Sequence, residues 1–115
     1  MPLKPAILEL GTGVSLHGRS HTEAAQRAVW DAIHHGSILF VGLFDQETAE
    51  SMVVEVTVAV PEPDQVDHQV VLSALPYGGP TLRVVQGGMA VEGREGSGDW
   101  TIMANAAVIV KLDVD

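Results

Sequence analysis

Cysteine is absent from the 115 residues. That excludes disulfides and thiolate metal sites, and it agrees with a reducing cytoplasm as the expected location. Aromatic side chains are nearly as scarce: two tryptophans, two phenylalanines and one tyrosine. The core must therefore be assembled from valine, alanine, leucine and isoleucine. No window approaches the roughly 18 consecutive apolar residues of a membrane span. The start, with Lys4 between prolines and only a short apolar run behind it, lacks the pattern of a signal peptide. Positive charge is the last shortage, with six basic side chains against fifteen acidic ones and a formal charge of −9. Such a surface repels phosphate backbones and anionic lipid, so neither nucleic acid nor membrane is an expected partner. The acids are scattered, from Glu9 and Glu23 through Asp31, Asp45, Glu47, Glu50 and Glu55. They read as a solvated surface, with a cationic partner as the lesser alternative.

What is present fits one domain spanning 1–115. Met1 to Pro5 reads as a loosely held start, and Ala6 to Leu10 as a short strand interior to a sheet, ended by Gly11 and Gly13. Ser20-His21-Thr22-Glu23 has the S-x-x-E form of a capping box and predicts a helix from His21 to about His35. Ala24, Ala25, Ala28, Val29, Ala32 and Ile33 share one face of it at the 3.6-residue period. Four of these six are alanines, so the helix can sit close to a sheet. Gly36 is the expected stop, and His34 and His35 fall in the last turn, where a cation suits the dipole. Trp30 falls on the polar face, which suggests either a subunit contact or packing along the domain's own edge.

Ile38 to Phe44 is apolar and ambiguous between strand and helix, and Asp45 to Ser51 reads as a loop. Met52 to Val60 alternates as a half-buried strand, with Val54, Val56, Val58 and Val60 to one side. Asp64 is placed to cap a second helix from about Gln65 to Leu75, although Val70-Val71-Leu72 also suits a strand. After the break at Pro76-Tyr77-Gly78-Gly79-Pro80, Thr81 to Gln86 and Met89 to Glu92 read as a hairpin turning at Gly87-Gly88. Gly93 to Asp99 reads as a flexible loop. Trp100 to Leu112 is a long strand with every even position apolar. The order predicts an α+β two-layer sandwich, a mostly antiparallel sheet with two helices on one face. The bare far face predicts a homo-oligomer.

The chemistry concentrates in Gly11-Thr12-Gly13-Val14-Ser15-Leu16-His17-Gly18-Arg19-Ser20-His21. Gly11, Gly13 and Gly18 let backbone amides approach a ligand, and the helix beginning at His21 offers amides to an anion. Arg19 adds charge, His17 is a candidate acid or base, and Ser15 a candidate hydrogen-bonding group or nucleophile. The bland alternative is a tight strand-to-helix turn with glycines for geometry and His17 bonded to backbone. Asn105 either lines a pocket or bonds a neighbouring loop; Tyr77 is a pocket wall or a turn-packing residue.

Gly11 to Gly18 resembles the GxGxDxHG motif of a small conserved-hypothetical family of bacterial and plant proteins, the Lin family. The likeness continues in outline through Pro76-Tyr77-Gly78, Gly87-Gly88 and Asn105-Ala106-Ala107, over nearly the whole chain. Ser15 stands where the family pattern has aspartate, which puts in doubt any role needing a carboxylate there. The resemblance implies a site and no particular reaction. The element order is also similar to the chorismate mutase and YjgF-type folds, whose trimers hold ligand pockets between subunits, a likeness of fold alone that implies a trimer or higher for the expected oligomer.

A dinucleotide site is disfavoured, because Leu16 stands where its third glycine belongs and no P-loop lysine is present. A metal site is an alternative, with His17 and His21 as its candidates. His34 and His35 lie about 20 Å further along the helix and could join them only across a subunit interface. The leading expectation is a site for a small anionic metabolite at Gly11–His21, serving hydrolysis or proton transfer. The alternatives are a non-catalytic binding or assembly module and the histidine metal site. No cofactor is indicated by the sequence.

Overall fold

Valine on every second position makes a strand that buries one face. β2, Val53–Val60, does so, with Val54, Val56, Val58 and Val60 buried and the residues between them half-buried. In the computed structural model, the structure describes residues 3–18, 20–34, 53–73, 75 and 80–113. The remaining elements are β1 (Leu3–Ser15), α1 (His21–His34), α2 (His68–Leu72), β3 (Thr81–Gln86), β4 (Met89–Glu92) and β5 (Trp100–Asp113). Short 3-10 turns occupy Leu16–Gly18 and Pro63–Gln65. Arg19, His35, Gly36, the Ile38–Phe44 run, the 45–51 loop and Tyr77 lie outside the described residues.

The sheet runs β1-β5-β2-β3. β5 is its central strand, antiparallel to β1 on one flank and to β2 and β4 in succession on the other; β3 joins β2 in parallel. Both described helices cover one face, so the two-layer α+β sandwich with a mostly antiparallel sheet is observed. The core consists of the six apolar residues of α1 named above, the even positions of β2, Val66, Val71, and Ile102 to Val110 in alternation. Each buried valine of such a core contributes about 1.5–3 kcal/mol. Among the described residues no helix is long and apolar enough to cross a membrane.

β1 departs most from expectation. It does not stop at Leu10 but runs through both glycines to Ser15, and it begins at Leu3, where a loose start was expected. Among the described residues it is an edge strand and not interior. The glycines remain in the strand because α1 lies directly on them. A Cβ on Gly11 would sit 2.4 Å from Ala28 O and Ala32 N, and one on Gly13 would sit 2.3 Å from Ala24 O and Ala28 N. With alanines on the helix side and hydrogen atoms on the strand side, the two backbones meet. Helix side chains also close the strand's outer edge. Thr12 N–H donates to Asp31 Oδ2 at 2.9 Å, and Val14 C=O accepts from the Arg27 guanidinium.

Gly87-Gly88 is not a hairpin turn. β3 pairs with β2 and β4 with β5, and both run in the same direction. The chain steps across the end of β2 here, anchored by Gly87 N–H to Val60 C=O at 2.9 Å. Gly88 sits at φ +64 with its Cα so close to β5 that a Cβ would fall 2.1 Å from Met103 O. The second helix is also shorter than expected. Asp67, not Asp64, caps it, accepting the N–H groups of Gln69 and Val70 at 3.1 and 3.3 Å. Val66 before it is extended and buried, which separates the 3-10 turn from α2.

Gly11→Ala and Gly13→Ala should each destabilise the fold by about 1–3 kcal/mol or more, because backbone faces the added methyl and only a shift of α1 can make room. Urea or thermal unfolding measures this; a variant as stable as the parent would refute the direct helix–strand seat.

Candidate functional site

The register of β1 on β5 builds the site. Val14 pairs with Met103 and Ser15 with Ile102, so the residues just after β1 meet those just before the body of β5. His17 lies in the turn after β1, at φ 63, ψ 29. This left-handed conformation costs a non-glycine residue about 1–3 kcal/mol and is a reason to look for function. Its Nδ1 is 2.9 Å from Asp99 Oδ1 and 3.1 Å from Oδ2. A carboxylate can only accept, so Nδ1 carries the hydrogen in this pair.

α1 starts beside it. Ser20 Oγ accepts the N–H of Glu23 at 3.0 Å, half of the expected capping box, while the Glu23 carboxylate pairs with Arg27. Thr22 Oγ1 donates to Gln65 C=O at 3.2 Å and accepts the N–H of Asp67 at 2.8 Å. Those bonds bind the segment after β2 to the first turn of α1, placing Glu62 against His21. The His21 ring is 11% exposed, and Glu62 Oε2 stands 3.7 Å from its Nε2, beyond hydrogen-bond length. That nitrogen is buried without a hydrogen-bond partner.

Between these two imidazole–carboxylate pairs lies a cleft of about 490 Å³, lined by His17, His21, Pro61, Glu62, Ala90, Gly98, Trp100 and Ile102. The size suits a small molecule. Among the described residues no group of three or more His, Asp or Glu is arranged to hold a metal ion. His34 is engaged elsewhere, stacked on Trp30 with ring centroids 4.2 Å apart and its Nδ1 2.8 Å from the Trp30 carbonyl.

The structure thus brings His17 and His21 together and places Gly11, Gly13, Ser15 and Asn105 apart from them. Gly18 closes the turn that carries His17. Gly11 and Gly13 lie within β1 beneath α1, and the space beside them holds helix backbone. Ser15 is fully buried, with its Oγ lacking a partner, and it is not part of the cleft wall. Asn105 stands on the face of β5 opposite its buried series and is exposed. With Leu10, Gly11, Thr12, Asp31 and Ala106 it lines a second hollow of about 380 Å³. Sequence reading missed Asp99, Glu62 and Trp100. The signal for Asp99 was its position just ahead of β5, legible only once β1 is known to be that strand's partner.

A family model described as "Conserved hypothetical protein (Lin0512_fam)" matches residues 5–110. Among solved structures, the chain is similar to an FtsZ-like protein of unknown function from Nostoc punctiforme PCC 73102. The two are 41% identical over 99% of each chain, with a TM-score of 0.81. No curated protein matches the chain.

Because the Ser15 hydroxyl is buried without a partner, Ser15→Ala should leave stability unchanged or raise it by up to about 1–3 kcal/mol. Chemical denaturation decides; a loss above about 1 kcal/mol would reveal a bond that the hydroxyl makes.

Proposed function

The chain belongs to the conserved hypothetical family of that model, Lin0512_fam, and from that premise we propose that its cleft binds a small metabolite on which His17 acts as general base. The observation that carries this is the Asp99 carboxylate, both of whose oxygens lie within 3.1 Å of His17 Nδ1 while the ring lines the cleft. With Nδ1–H held there, the ring presents Nε2 as its basic nitrogen. The chemistry that follows is proton abstraction from the ligand or activation of a water for hydrolysis. Ser15 has no part as nucleophile in this reading, since its hydroxyl is shut away from the cleft. The first turn of α1 reaches the cleft through His21, and its positive dipole end favours an anionic group on the ligand.

A second reading, assembly of copies of this chain, is favoured by one observation. Leu8 and Leu10 stand side by side on the bare face of β1, 60% and 61% exposed, and apolar patches of this kind mark interaction surfaces. Sedimentation at micromolar concentration tests it, and a monomer there would set it aside.

The base reading is tested with His17→Asn, because asparagine tolerates the left-handed backbone while removing the imidazole. The His17 and Asp99 side chains are 63% and 50% exposed. Such a pair contributes only about 0–1 kcal/mol, so the variant should melt within a few degrees of the parent. Mass spectrometry of small molecules carried through purification should find a compound on the parent that the variant has lost. Identical small-molecule content on two equally stable proteins would count against the reading.

A further inference from the structure

We infer that Glu92 is a positioning residue for His17, an inference that rests on the base role proposed above. Glu92 closes β4 and pairs in register with Trp100, the first residue of β5. Its carboxylate reaches into the loop that joins the two strands. Oε1 accepts Gly96 N–H at 3.0 Å, and Oε2 accepts Gly98 N–H at 2.8 Å. The base of the loop is closed by Gly93 N–H to Asp99 C=O at 2.9 Å. Ser97 Oγ accepts the N–H of Asp99 at 3.1 Å. The segment expected to be flexible is therefore wrapped on one carboxylate, and Asp99 leaves it aimed at His17. Gly98, whose amide Glu92 holds, is itself part of the cleft wall.

Relative strengths assign the positioning to Glu92 and not to the Asp99–His17 contact. That contact joins two half-exposed side chains, and exposed ion pairs are weak. A loop carrying Gly93, Gly96 and Gly98 loses much backbone freedom on ordering. The contact alone is too weak to offset that loss. Two charge-assisted bonds from backbone amides to one carboxylate are stronger. Glu92 itself is half-buried at the end of β4, and residues 93–99 are exposed. Order passes from Glu92 to the loop, from the loop to Asp99, and from Asp99 to the tautomer of His17.

The experiment is nitrogen-15 NMR of the whole chain with the rings neutral, the His17 signals being identified by their loss in His17→Asn. The parent should show His17 protonated at Nδ1. Glu92→Ala should lose that signature toward the mixed tautomers of a free imidazole, and exchange of the Gly96 and Gly98 amides should accelerate at least about tenfold. Glu92→Gln, which keeps one acceptor oxygen, should fall between the two, and both variants should retain the amide spectrum of the sheet and α1. A Glu92→Ala protein that keeps the Nδ1–H signature overturns this inference and leaves the base role standing. A parent without the signature overturns the base role, and this inference with it.

Discussion

Everything in the molecule is arranged around the contact between the backbone of α1 and the backbone of β1. Gly11 and Gly13 supply the absence of side chain, and Ala24, Ala28 and Ala32 supply the smallest side chains that still favour helix. The pairing fixes the height and direction of α1 over the sheet. That in turn places the first turn of α1 beside the turn that ends β1, which is why His17 and His21 share a cleft. It also brings Asp31 and Arg27 alongside the outer edge of β1. A helix held one side chain further away would lose the seat, the edge contacts and the cleft together.

The cleft also depends on a long-range register. His17 and Asp99 are far apart in sequence and meet because β1 and β5 pair from Leu3–Asp113 to Ser15–Ile102. A slip of one residue would turn the apolar face of β5 outward. It would also separate the imidazole from its carboxylate. The hydrophobic alternation that stabilises the sheet is thus the same device that sets the geometry of the polar pair at its end.

Local pattern was enough to read α1, since all six apolar residues placed on one face are buried, and enough to read β2 and β5. It failed where the deciding partner is distant in sequence. Two glycines after a short apolar run look like a chain break, and only the helix lying on them explains why the strand continues. Gly87-Gly88 between two apolar runs looks like a hairpin turn. The same residues serve a step across Ala59 and Met103, a requirement that turn chemistry alone does not reveal. His17 and His21 were recognisable by their density in one stretch. Asp99, Glu62 and Glu92 were not, because each looks like any other surface acid until the register and the loop are known. Ser15 was judged by residue type, whereas the pleat of β1 turns it inward.

The shielded edge of β1 limits how this protein can meet another. An open edge invites a foreign strand to extend the sheet, the route by which many β proteins stack into fibres. Here a newcomer would have to break the Asp31 bond to Thr12 and the Arg27 bond to Val14 before its own main chain could pair at those positions. Growth by adding strands on this flank is therefore resisted at Thr12 and Val14, and the exposed Leu8 and Leu10 put the strand's apolar surface on its side rather than along its ladder.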